Sequence, residues 1–125
     1  MDTAINVVQV FLGVGFAVSG LIKLTIPYAR FAKLSLAAWV TDFKPKQFHF
    51  IGFLEVCAAV GLIVPLFVPS LIMLGPLAAV GLALVMAGAI ATHFRRVEYW
   101  PIAVNLVYLG LALFVAYGKL VGAAV

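Results

Sequence analysis

The sequence predicts an all-α protein built as a bundle of four membrane-spanning helices. From Val56 to Phe94 no residue carries a formal charge, and similar uncharged runs lie on both sides of this stretch. Hydrophobic residues make up 66% of the chain and charged residues 10%, and the mean hydropathy is +1.25. A soluble domain of 125 residues exposes too much surface for this composition, so the chain is expected to lie in hydrocarbon.

Four stretches have the length of about 20 residues that crosses a bilayer core. Pro69 and Pro101 suit helix starts, where a missing N–H costs little, whereas Pro65 and Pro76 lie within spans and are expected to kink or loosen a turn. Together the spans predict a single membrane domain that covers residues 1–125. The predicted spans are roughly 3–24, 48–68, 71–92 and 101–120.

The first span is predicted to be retained in the protein, because no basic segment precedes it and no cleavage pattern of small residues follows it. Between the first two spans, residues 25–47 mix basic residues with aromatic ones such as Tyr28 and Trp39. This mixture predicts a short helix that lies in the membrane interface, and the alternative is a plain connecting loop.

The basic residues predict the orientation of the spans. Lys119 is the only one of the eight Lys and Arg residues that falls on the opposite side of the membrane from the rest. Loops rich in Lys and Arg stay in the cytoplasm. Loop 1, between the first and second spans, and loop 3, between the third and fourth, are therefore predicted to be cytoplasmic. Both termini are predicted to be extracytoplasmic, in a bacterial-type inner membrane. The basic residues on the cytoplasmic side are Lys23, Arg30, Lys33, Lys44, Lys46, Arg95 and Arg96.

Polar residues from all four spans fall at one depth, near the cytoplasmic leaflet. Lys23 closes the first span, Glu55 lies about two turns into the second, His93 ends the third and Asn105 opens the fourth. Ionisable groups within spans are costly and usually face the interior of a bundle. The four residues therefore predict an intramembrane polar cluster.

Helical periodicity places each polar residue on a stripe of small residues. Small residues let helices approach closely in lipid, and polar residues are expected to point into that contact. Tyr108 and Met86 fall on the same stripes and are candidates for the apolar part of a site. The stripes are Gln9, Gly13, Phe16, Gly20 and Lys23; Gly52, Glu55, Ala59 and Leu62; Gly75, Ala79, Leu82, Met86, Ala89 and His93; and Asn105, Tyr108, Ala112 and Ala116.

Each polar residue also has a purely structural interpretation. Lys23 can extend to the headgroups instead of meeting a partner in the bundle, and Glu55 can serve only as its ion-pair partner. His93 can be an ordinary interfacial histidine, and Asn105 can simply hydrogen-bond a neighbouring helix.

The sequence offers little for redox or metal chemistry. Cys57 is the only cysteine, so an internal disulfide is impossible, and it is predicted to be a small buried residue. His49, His93 and Glu55 could in principle bind a transition metal, but their spacing has no specificity, and no metal site is predicted. Anionic lipid headgroups explain the basic loops better than nucleic acid does.

The polar residues occur in three short motifs in a fixed order: SGLIKL at 19–24, IGFLEV at 51–56 and MAGAIATH at 86–93. This pattern resembles the DoxX-like family of small four-helix membrane proteins. The family's glycine-lysine motif corresponds to Gly20 and Lys23, and its glycine-glutamate motif to Gly52 and Glu55. Its histidine in the third span corresponds to His93.

The resemblance implies a compact four-helix bundle with a link to quinone-coupled sulfur oxidation, membrane oxidoreductase complexes or the assembly of other proteins. We expect an accessory membrane protein, without catalytic activity of its own, that binds a quinone or lipid. The alternatives are a quinone-linked oxidoreductase subunit and a structural or chaperone-like assembly factor. An oxidoreductase partner or a second copy of the chain would be the protein partner. The candidate ligand-binding residues are Lys23, Glu55, His93, Asn105, Tyr108 and Met86.

Overall fold

The structure, a computed structural model that describes residues 2–124, is an all-α bundle with four long helices. All four are long and apolar enough to cross a membrane, which confirms the predicted fold class. Two short helices lie between the first two long ones, where the sequence predicts a short helical segment. In chain order the elements are α1 (Asp2–Thr25), α2 (Tyr28–Phe31), a 3-10 helix (Ser35–Asp42), α3 (Pro45–Ile63), α4 (Leu74–Arg95) and α5 (Tyr99–Ala124).

The four long helices pack around the bundle so that each contacts two neighbours. α1 packs most extensively on α3, and α4 packs most extensively on α5. Smaller contacts between α3 and α4, and between α1 and α5, join these two pairs. Contacts join the end of α1 to the start of α3 and the end of α4 to the turn before α5, so successive long helices run in opposite directions. The ends of α1 and α4 and the starts of α3 and α5 therefore lie at the same end of the bundle.

The segment between α1 and α3 packs against the first turn of α3. Val40 and Phe48 are fully buried, and Phe31 contacts the Phe48 ring. The Tyr28 hydroxyl donates to the Phe43 carbonyl oxygen at 2.6 Å and lies 3.2 Å from the Val40 carbonyl oxygen. These contacts fix the segment at the end of the bundle where the basic residues concentrate.

Of the three prolines near the α3–α4 connection, Pro69 begins a helical turn as predicted, whereas Pro65 and Pro76 do not kink a helix. Pro65 does not kink a continuing helix: α3 ends at Ile63, and Pro65 lies in a short 3-10 turn. Pro69 opens another 3-10 turn, so α4 begins at Leu74, three residues later than predicted. Pro76 lies in the first turn of α4, where backbone N–H groups have no helical acceptor, so it disturbs nothing.

Most residues of the small and polar stripes are buried, as their periodicity predicts, and the rest are half-buried. In α1 the side chains of Leu12 and Phe16 are buried, and Gln9 is buried beside them. The Gln9 amide donates to the Leu62 carbonyl oxygen, a group near the end of α3. At the same end of the bundle Lys119 donates to the Asn6 side chain, which joins α5 to α1.

Candidate functional site

Lys23, Glu55 and Ser19 form a compact polar cluster between α1 and α3. The Lys23 ammonium lies 2.8 Å from Glu55 Oε1 and donates to the Ser19 hydroxyl at 2.7 Å. Ser19 in turn donates to Glu55 Oε2 at 3.0 Å. The two charged side chains are only 11% and 4% exposed, so the pair is largely removed from solvent. Both carboxylate oxygens thus have a partner, which compensates part of the cost of burying the charge.

Close contact between α1 and α3 brings this cluster together. A Cβ atom added at Gly20 would lie 2.6 Å from the Gly52 carbonyl oxygen, and one at Gly52 would lie 2.7 Å from Lys23 Cβ. Neither distance is sterically allowed, so only glycine fits at both positions. The side chains of Ser19, Lys23 and Glu55 flank this contact and consequently reach one another.

His49 holds the end of α1 in place rather than contributing to the polar cluster. Its Nδ1 atom lies 2.8 Å from the Lys23 carbonyl oxygen. A carbonyl oxygen only accepts hydrogen bonds, so Nδ1 carries the proton. The bond satisfies one of the last carbonyl groups of α1, which lack a helical partner.

A chain of charged groups connects His93 to the segment before α3. His93 Nδ1 lies 2.8 Å from Glu98 Oε1, and Arg96 Nε lies 3.4 Å from the same oxygen. Another nitrogen of Arg96, Nη1, is 2.9 Å from Asp42 Oδ1. The Trp39 ring meets the His93 ring edge to face, with 5.9 Å between the centroids. These contacts hold the 3-10 helix against the end of α4.

The turn after α4 brings Glu98 to His93 at the cost of backbone strain. The Glu98 N–H donates to the His93 carbonyl oxygen at 2.9 Å, and the Val97 N–H donates to Phe94 at 3.1 Å. This pattern is a Schellman motif, in which glycine usually occupies the position of Val97. Val97 has a φ of 58°, a left-handed conformation that costs a β-branched residue about 1–2 kcal/mol.

A cavity of about 750 Å³ lies beside the polar cluster, between the two helix pairs. Ser19, Lys23 and Glu55 line it from α1 and α3, and His93 and Asn105 line it from α4 and α5. The cavity therefore receives polar side chains from all four long helices.

Apolar side chains form the deeper part of the cavity. Phe16, Val85, Met86 and Tyr108 line it towards the middle of the bundle. The Phe16 and Tyr108 rings meet edge to face, with centroids 5.3 Å apart. The cavity thus has a polar end near the basic loops and an apolar end deeper in the bundle.

The mouth of the cavity includes side chains from the segment before α3. Trp39 and Phe43 lie there together with Arg95 of α4 and Trp100 of α5. Trp100 is 77% exposed, and the lining residues Gly15 and Ala91 are also exposed. The cavity therefore reaches the outer, lipid-facing surface of the bundle.

The sequence profile of the DoxX-like family matches residues 7–115. The chain belongs to the DoxX-like family. No match was found among curated proteins or among solved structures. The matched range includes the polar cluster, the cavity and the charged groups near His93. Family membership supports a small membrane protein with several spans.

The structure of this DoxX-like protein brings all six candidate residues to one cavity. Ser19 was missed as a site residue, although it lies one turn before Lys23 and shares its face of α1. Trp39 and Arg95 were also missed, and sequence periodicity offers no signal that places a loop tryptophan over a cavity. The six candidate residues that line the cavity are Lys23, Glu55, His93, Asn105, Tyr108 and Met86.

The prediction that Cys57 is buried is wrong, because the residue lies on the exposed face of α3. Cys57 follows Glu55 by two residues, which turns it about 200° around the helix and away from the core. His49 and His93 bind different partners. Among residues 2–124, no three His, Cys, Asp or Glu side chains are arranged to hold a metal ion.

Proposed function

We propose that this DoxX-like protein binds a small amphipathic molecule, a quinone or a membrane lipid, in the cavity. The observation that supports the proposal is a cavity of about 750 Å³ with a polar and an apolar end. Small-molecule sites typically have volumes of about 300–1,000 Å³, and few polar groups orient the ligand among many apolar ones. Lys23 and Glu55 contact the ligand's polar end, with His93 and Asn105 beside them.

The cavity opens to the lipid-facing surface, but its inner part extends past the ion pair into the bundle. Protein interiors are normally close-packed. A bundle that needed Lys23 and Glu55 only to align its helices could close around the ion pair. Here the pair instead borders open space that continues to Phe16 and Met86. This supports a binding site over an assembly factor without a ligand.

The protein is proposed to act as an accessory component without catalysis of its own. An oxidoreductase role would require a partner to supply the redox centre, because a single cysteine cannot cycle between dithiol and disulfide. In that alternative the same cavity holds the quinone that accepts electrons from the partner.

Filling the cavity is expected to expel the ligand. Ala89 lines the cavity, so Ala89→Leu adds bulk where the apolar part of the ligand lies. Ala87 is two residues away on the same helix and is exposed, so Ala87→Leu is the matched control. We expect native mass spectrometry of gently extracted protein to show one retained quinone or lipid in the wild type and in Ala87→Leu, but not in Ala89→Leu.

Two outcomes contradict the proposal. Wild-type protein without any retained amphiphile would favour a structural role. Equal retention in Ala89→Leu and Ala87→Leu would show that the bound molecule lies on the outer surface of the bundle. Chromatography of the organic extract distinguishes quinones from lipids when a ligand is retained.

We further propose an inner-membrane location with loops 1 and 3 in the cytoplasm. Arg30 and Lys33 precede α3 and Arg95 and Arg96 end α4, all at one end of the bundle, and such loops remain cytoplasmic. Alkaline phosphatase fused to the C-terminus is expected to be active, and green fluorescent protein fused there is expected to be dark. The reverse pair of results would invert the orientation.

A further inference from the structure

We infer that the ligand carries a negatively charged headgroup and reaches the cavity sideways, from the leaflet on the basic side of the bundle. This inference rests on the proposed function, because it names the class of molecule that the same cavity binds.

The charges around the cavity favour an anion. Among the described residues that line the cavity, Glu55 is the one with an acidic side chain. One of its oxygens lies beside the Lys23 ammonium, and the other accepts a hydrogen bond from Ser19. Arg95 also lines the cavity, and the ion pairs within residues 2–124 engage Arg96 instead. Lys23 and Glu55 neutralise each other. The nearby carboxylates Asp42 and Glu98 are engaged by Arg96. In the described structure Arg95 therefore lies at the mouth without a carboxylate within ion-pair distance.

Lys23 retains donor capacity for a headgroup. An ammonium group has three N–H donors. Lys23 donates one of them to Ser19, and its nitrogen lies 2.8 Å from Glu55 Oε1 as an ion pair. A remaining donor can serve an oxygen at the polar end of the cavity. Hydrogen bonds from a cation to a charged oxygen are about twice as strong as those between neutral groups. Lys23 and Arg95 together therefore favour a sulfonate, phosphate or carboxylate over a neutral group.

The direction of the cavity matches the direction of a lipid in the adjacent leaflet. Its polar end lies near the helix ends that carry the basic residues, and Phe16 and Tyr108 lie deeper. A lipid in that leaflet also has its headgroup at the interface and its chain towards the midplane. Exposed lining residues such as Gly15 and Trp100 show that the cavity reaches the lipid-facing surface. A lipid-like molecule can thus move in without leaving the membrane or turning over.

The volume argues for a chain as well as a headgroup. The cavity of about 750 Å³ would hold roughly 25 water molecules at about 30 Å³ each. An inorganic anion fills a small part of that volume and makes no use of Phe16, Met86 or Tyr108. An anionic amphiphile uses both ends.

Two photoreactive probes that differ only in their headgroup test the inference. One is a sixteen-carbon alkyl sulfonate and the other is the corresponding alcohol, each with a diazirine in the chain. The protein is placed in phosphatidylcholine nanodiscs, and labelled residues are identified by peptide mass spectrometry. We expect the sulfonate to label Met86 or Tyr108 roughly tenfold more strongly than the alcohol, as the loss of one charge-assisted hydrogen bond would produce.

Matched variants connect the preference to the proposed groups. Arg95→Gln is expected to remove most of the preference for the sulfonate. Arg30→Gln changes an exposed arginine outside the cavity and is expected to leave the preference intact. Excess inorganic phosphate is expected to leave labelling unchanged, because it lacks a chain.

The remaining outcomes of the labelling experiment separate the charged headgroup from the proposed function. Equal labelling by both probes that is lost in Ala89→Leu would overturn the charged headgroup while leaving the proposed function standing. No labelling of cavity residues by either probe would overturn the proposed function itself. An undiminished preference in Arg95→Gln, or complete competition by phosphate, would also refute the inference.

Discussion

Removing either member of the Lys23–Glu55 pair is expected to destabilise the bundle by up to about 3–5 kcal/mol. Lys23→Met leaves a nearly buried carboxylate with only the Ser19 hydroxyl as its partner, and Glu55→Gln leaves an ammonium group without its countercharge. Each loss appears as a lower melting temperature of the purified protein in detergent, followed by circular dichroism. Because the pair borders an open cavity, water that reaches it would reduce the loss.

The double variant provides the decisive comparison. Lys23→Met combined with Glu55→Gln leaves no unpaired charge, so it is expected to recover part of the summed loss. Lys119→Met is a control for lysine removal, because Lys119 contacts Asn6 at the opposite end of the bundle. Strictly additive losses in the double variant would mean that the two side chains do not stabilise each other.

Gly20→Ala is expected to destabilise the protein by about 1–3 kcal/mol, the usual cost of overpacking a tight contact. The new Cβ would lie 2.6 Å from the Gly52 carbonyl oxygen and 2.9 Å from the Val56 backbone nitrogen. Backbone atoms cannot move aside unless α1 and α3 separate. That separation would also pull Lys23 away from Glu55, so ligand retention is expected to fall together with the melting temperature.

Gly81→Ala gives the matched control for this substitution. Gly81 is exposed on α4, and a Cβ there would meet nothing within 4 Å. In open space alanine favours a helix by about 1 kcal/mol over glycine, so this variant is expected to be neutral or slightly stabilised. If Gly20→Ala melts at or above the temperature of Gly81→Ala, the close contact between α1 and α3 is not as described.

The fold and the set of polar residues that line the cavity could be predicted because both follow from simple periodic signals. Uncharged stretches of membrane-spanning length determine four helices. Within them, Gly20, Lys23, Gly52 and Glu55 fall on helix faces that must turn inward, since lipid does not tolerate exposed charge. The convergence of six residues on one cavity follows from these faces and from the common depth of their polar groups.

The remaining features depend on contacts between distant residues. Whether Pro65 kinks a helix or ends it is decided by the packing of the α3–α4 connection. The position of Trp39 over the cavity depends on Asp42 meeting Arg96. Nothing local predicts a left-handed Val97, because this position of a Schellman motif favours glycine and valine rarely adopts a positive φ. The surrounding tertiary contacts compensate for the strain.

The two ends of the bundle differ, because the end opposite the cavity is filled by a packed apolar core. Leu12, Leu62, Leu82 and Val115 are fully buried and fill the space between the helices beyond Phe16. Within residues 2–124 these side chains close the cavity towards the far side of the membrane. A molecule bound in the cavity would have to leave by the way it arrived. The occupancy of the proposed site would then depend on the composition of one leaflet, and a concentration difference across the membrane would not drive exchange.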